Sequence, residues 1–75
     1  MNTTENEIKY CADQVRKGLK INNVESAKRL ALQRGDAIVV GDDNKYWLVS
    51  YKAARILSTA GHEAYHYGIG GWKKY

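Results

Sequence analysis

The chain contains no proline and no phenylalanine, and it has one cysteine and one methionine. Without proline there is no rigid extended linker. A single cysteine excludes an internal disulfide framework, so the fold must rest on its apolar core. No stretch approaches the ~18 consecutive apolar residues of a membrane span. The opening "MNTTENEIKY" has neither the basic nor the apolar region of a secretory leader. These absences point to a reducing, cytoplasmic setting with no membrane contact.

What is present fits one small domain. The chain has 75 residues, 44% of them hydrophobic and 27% charged. A domain of this size buries only about 60–65% of the surface of its unfolded chain. That leaves little room for a large catalytic cavity. The net charge of +4 permits attraction to nucleic acid or to acidic surfaces. The aromatic inventory is six Tyr and two Trp. Both types combine apolar area with a polar handle, which suits binding surfaces as well as cores.

"TTENEIKYCADQVRKGLK" reads as a helix. Thr4 and Glu7 match the spacing of a capping box. Ile8, Cys11, Ala12, Val15 and Leu19 recur at three- and four-residue steps on one face, with Cys11 as a small core residue. "NNVESAKRLALQRG" reads as a second helix, capped by Asn22 or Asn23 and stopped at Gly35, with Val24, Ala27, Leu30 and Ala31 facing inward. "DAIVVGDDNKYWLVS" reads as a β-hairpin around "GDDN". "SYKAARILSTAG" reads as a third helix, capped by Ser50 and ended at Gly61. "HEAYHYGIGGWKKY" is either a closing strand or a continuation of that helix. Gly61 and the tyrosines favour the strand.

The predicted fold is α+β, with element order α-α-β-β-α-β. It has a three-stranded, mainly antiparallel sheet packed on one face by helices. The closing strand would lie beside the first hairpin strand, giving sheet order 2-1-3. The open face would expose some of Tyr46, Trp47, Tyr65 and Tyr67. Residues 1–3 and 70–75 are expected to be flexible unless Trp72 docks.

"HEAYH", residues 62–66, matches the His-Glu-x-x-His spacing of zinc peptidases. That chemistry needs one continuous helix, on which His62 and His66 would hold the metal and Glu63 would act as base. It also needs a third ligand. No His, Asp, Glu or Cys follows His66, and Ile69 and Trp72 stand where a metzincin continuation wants Gly and His. In a strand the two histidines would lie ~13 Å apart, too far to share an ion. The sequence therefore predicts no metal site, no cofactor and no enzymatic activity. Zinc hydrolysis through His62 and His66 remains as the remote alternative.

The same region resembles a known family. "SYKAARILSTAGHEAYHYGIGGW" is similar to the closing segment of rhodanese-type sulfurtransferases through Ser50, Ala53, Ala54, Leu57, Gly61, Gly70, Gly71 and Trp72. In that family a helix after the active loop leads to a short strand, Gly-Gly and Trp. The family's catalytic cysteine would fall at Asn44 and its loop arginine at Val49. The preceding half of that domain is missing. The resemblance therefore implies no persulfide chemistry here.

The basic and aromatic residues carry the functional expectation. The first two helices with the connection "KINN" resemble a helix-turn-helix, with the hairpin as a wing. Lys28, Arg29, Arg34, Lys45, Lys52 and Arg55 could neutralise phosphates or meet an acidic partner. Tyr46 and Trp47 could stack on unpaired bases. Against this, Asp42 and Asp43 would repel phosphate at the wing tip. The predicted function is that of a small regulatory binding protein acting on nucleic acid or on a complex that handles it. The alternative is a protein-binding inhibitor or adaptor using the same face. In size and lack of a catalytic constellation the chain resembles small proteins of phages and mobile elements, including anti-CRISPR inhibitors. A homodimer would form through a sheet edge or the aromatic face.

Overall fold

A computed structural model describes residues 5–75. Helix α1 spans Glu5–Lys17 and strand β1 Lys20–Ile21. Helix α2 follows at Val24–Arg34, then β2 at Ala37–Val40 and β3 at Tyr46–Val49. Helix α3 occupies Tyr51–Thr59, with β4 at Ala64–Gly68 and β5 at Gly71–Lys74. The expected capping residue Thr4 and residues 1–3 lie outside the described residues.

The sheet has five strands, in the order β1-β3-β2-β4-β5, and every neighbouring pair is antiparallel. The expectation of three strands and the order α-α-β-β-α-β is therefore corrected. Two strands were added. Lys20 and Ile21, expected to be a plain helix connection, pair with Trp47 and Tyr46 as an edge strand. Residues 71–74, expected to be flexible unless Trp72 docked, form β5 against β4, with Trp72 opposite Tyr67. Trp72 also packs against buried Ala27, Ala31, Ile38 and Leu48.

The helices cover both faces, not one. Cys11, from α1, and Ala53, Ala54 and Ile56, from α3, pack on one face against Ala37, Val39, Val49 and Ala64. Ala27 and Ala31 of α2 pack on the other, against Ile38 and Leu48. The hairpin sequence explains this. "AIVV" and "YWLV" are continuous apolar runs, so alternate side chains need cover on each side. Val39, Leu48 and Val49 are fully buried. Each such side chain contributes about 1.5–3 kcal/mol relative to exposure. Because α1 and α2 lie on opposite faces, they do not form a helix-turn-helix, and that reading is withdrawn.

Local chemistry ties the layers together. Asn23 caps α2 by accepting from the Ser26 N–H, 3.0 Å. Ser50 Oγ caps α3 by accepting from the Ala53 N–H, 3.1 Å, and it shares a 2.7 Å hydrogen bond with the Tyr10 hydroxyl. Gln14 accepts from the Ser50 N–H at 3.1 Å. The start of α3 is thus held by α1. Gly61 adopts φ 109°, a conformation that side chains rarely allow, and the helix ends there. The His62 N–H closes the turn on the Leu57 carbonyl, 2.9 Å.

Candidate functional site

The face carrying α2 is only partly covered. The Cα register aligns its side chains in rows across the strands. Ile21, Tyr46 and Val40 form one row, which Glu63 extends because the Val40 N–H donates to the Glu63 carbonyl, 2.8 Å. Leu48, Ile38, Tyr65 and Lys74 form the next row. Tyr67 and Trp72 pair beyond it, with ring centroids 5.5 Å apart and planes at 69°. Helix α2 covers the Leu48 and Ile38 end of these rows. The remaining space is a groove of about 350 Å³ between α2 and the sheet. Val24 and Lys28 line it from the helix, Val40, Tyr46, Tyr65 and Trp72 from the sheet, and Glu63 from the residue just before β4. That volume lies at the lower end for small-ligand sites.

The electrostatics of the groove are mixed. Lys28 faces it from α2, and Lys74 stands on the same sheet face as Tyr65. The Tyr65 hydroxyl donates to Oε2 of Glu63. This hydrogen bond, reinforced by burial, holds the Tyr65 phenol above its ordinary range. No salt bridge joins Lys28 to Glu63 among the described residues. The groove therefore combines aromatic walls, one carboxylate and an ammonium group.

The eight residues expected to bind do not share one surface. Lys28 and Tyr46 meet in the groove. Trp47, Lys52 and Arg55 belong to the elements of the opposite face. Trp47 packs against the core there, and its indole N–H donates to Asp43 at 3.2 Å. The Lys52 ammonium sits 5.2 Å from the centre of the Tyr10 ring. Arg34 pairs with Asp36 at 3.0 Å, at the end of α2. Arg29 is exposed on α2, and Lys45 lies at the hairpin tip with its N–H on Asp43, 3.1 Å.

The expected binding residues do not include Glu63, Tyr65 or Trp72; Glu63 enters the sequence reading only as a base beside zinc, and Tyr65 only as part of an open aromatic face. A signal for Tyr65 and Trp72 was present. Tyr65 and Tyr67 alternate before "GIGG", and Trp72 follows it, which is the pattern of an aromatic hairpin around a glycine turn.

The zinc motif is broken by the backbone. Residues 64–68 are a strand, so the single helical face that the motif needs does not exist. His62 packs near Trp47, ring centroids 6.1 Å apart, while His66 stacks on Tyr75 at 4.5 Å. Among the described residues no group of three or more His, Cys, Asp or Glu is placed to hold a metal.

A second groove, of about 370 Å³, runs between α1 and α3. Ile8, Ala12, Val15, Trp47, Leu57 and His62 are among its lining residues. Ile8 is 57% exposed, so the predicted inner stripe of α1 is only partly inside. Among the described residues no helix is long and apolar enough to cross a membrane. No protein-family model, curated protein or solved structure matches the chain.

Proposed function

We propose that this is a small, non-catalytic, cytoplasmic binding protein that engages single-stranded nucleic acid on the open part of the α2 face. One observation carries the reading. Tyr46, Tyr65, Tyr67 and Trp72 share that face with Lys28 and Lys74, around a groove that α2 leaves open. Unpaired bases stack on aromatic rings, at roughly 1–3 kcal/mol per base, and every base has a face to offer. Lysines beside the rings meet the phosphates. A duplex cannot present its base faces this way, so single strands or loops are the expected ligands. Regulation would follow from occupying such strands.

The test is titration of fluorescently labelled single-stranded DNA and RNA oligomers at several salt concentrations. Binding that weakens with salt and is lost on replacing Tyr46 by Ala supports the reading. Equal binding to single strands and duplex, insensitive to Tyr46, removes it.

A second reading is a protein-binding inhibitor or adaptor. It is favoured by the apolar groove between α1 and α3, with Ile8 more than half exposed at its rim. A stoichiometric protein partner whose capture is lost with Ile8→Glu would support it over the first.

A further inference from the structure

The groove under α2 contains one group that a simple phosphate-and-stacking surface does not need. Glu63 places a carboxylate beside Tyr65, in a groove otherwise lined by Val24, Ile38, Val40, Tyr46, Trp72 and the single lysine Lys28. A carboxylate repels phosphate, so its presence calls for a partner with donors.

The geometry defines that partner. Val40 lies between Tyr46 and Glu63 in the same cross-strand row. Two strand spacings of ~4.8 Å put the backbones of Tyr46 and Glu63 about 10 Å apart, with the apolar Val40 between them. The Tyr65 hydroxyl is the only hydrogen-bond partner of the Glu63 side chain among the described residues, and it uses Oε2. Oε1 and the second lone pair of Oε2 are left as acceptors. Lys28 completes the groove from above with three donors and no acceptor.

Resting on the single-strand reading above, we propose that this groove is a base-recognition subsite in which Glu63 reads guanine. A base stacked beside Tyr46 and Tyr65 turns its Watson–Crick edge to the carboxylate. Guanine offers two adjacent donors there, N1–H and N2–H, which match two carboxylate acceptors. Cytosine and adenine offer one amino group beside a ring acceptor. Thymine and uracil flank one N–H with two carbonyls, which the carboxylate repels. Unpaired bases are commonly read on this edge. The expected order is guanine first, then cytosine and adenine, then thymine or uracil. A bidentate pair of this kind discriminates by roughly 5- to 150-fold.

The experiment uses the full chain and thymidine-rich single-stranded oligomers with one central dG, dC, dA or dT. Wild type should bind the dG oligomer at least about five-fold more tightly than the dT oligomer. Glu63→Gln replaces one acceptor by a donor and should bring the four affinities together. Tyr65→Phe keeps the ring but frees the carboxylate, and it should reduce the preference. Circular dichroism verifies that each variant is folded. If wild type binds all four oligomers alike, or if Glu63→Gln keeps the preference, the guanine assignment is overturned while single-strand binding stands. If no oligomer binds in a salt-dependent way, the functional reading itself falls, and this assignment with it.

Discussion

The indole of Trp47 lies directly against Gly41. A Cβ added at Gly41 would stand 2.1 Å from Trp47 Cε2 and 2.3 Å from Cζ2. The ring fills the space that a side chain at 41 would take. Its N–H on Asp43 then ties the hairpin tip to β3. Gly41→Ala should therefore act as overpacking and cost about 1–3 kcal/mol. Chemical denaturation gives the loss, and the Trp47 contribution to fluorescence should shift with it. An unchanged midpoint would mean that the tip rearranges freely.

Tyr51 supports the end of β4 where β2 no longer pairs with it. Its hydroxyl donates to the Tyr67 carbonyl at 3.3 Å and accepts from the Tyr67 N–H at 3.2 Å. One hydroxyl thus stands in for a strand. Tyr51→Phe should leave the fold intact and cost about 0.5–1.5 kcal/mol. Hydrogen exchange at the Tyr67 amide should speed up more than exchange elsewhere in β4. Equal protection in both proteins would remove this role.

For the proposed interface, location separates the lysines. Lys28→Ala should weaken single-strand binding and reduce the salt slope by about 0.7. Tyr46→Ala should cost about 1–3 kcal/mol of affinity. Lys52→Ala and Arg55→Ala, on the helix of the opposite face, should change affinity much less. Losses of equal size for Lys28→Ala, Lys52→Ala and Arg55→Ala would point to a diffuse charge effect.

Alkaline pH should destabilise the fold. Burial, then the nearby Glu7, raises the Cys11 thiol from 9.0, with Lys52 opposing. The hydrogen bond to Glu63, then burial, raises Tyr65 from 10.0. Burial, then Tyr51, raises Tyr75 from 10.0, with Arg55 opposing. Each group holds its proton more tightly when folded. The contribution is whole below the unfolded value and is lost as pH rises through the folded one. Stability should thus be level in this respect up to about pH 8 and decline above about 9. Tyr75→Phe should flatten the decline. A profile rising above pH 10 would contradict the sign.

Added zinc should not stabilise the protein. A site that binds only the folded state raises stability by RT ln(1 + [L]/Kd). The strand at 64–68 separates His62 from His66, so equimolar zinc should leave the melting temperature unchanged. A shift lost in both His62→Ala and His66→Ala would reopen the metal reading.

The sequence by itself determined the parts that depend on local chemistry. Helix periodicity placed α1, α2 and α3. Caps at Asn23 and Ser50 and the stop at Gly61 follow from side chains and glycine conformations within a few residues. The hairpin around 41–45 and burial of Cys11 are of the same kind. The breakdown of the zinc motif was also readable, since Gly61 ends the helix it requires.

Tertiary structure alone decided what covers each face and which edges pair. Strand β1 has two residues, too few for any period, and it exists because the edge of β3 offers backbone partners. Helix α2 crossed to the second face because the apolar runs at 37–40 and 46–49 need cover on both sides. That crossing put adjacent Tyr46 and Trp47 to different uses, since neighbouring residues in a strand point to opposite faces. Trp47 went to the core, and Tyr46 to the groove. Glu63, Tyr65 and Trp72 joined Tyr46 only through the register of four strands and the position of α2. No spacing along the chain encodes that meeting, because it depends on hydrogen bonds between segments far apart in sequence.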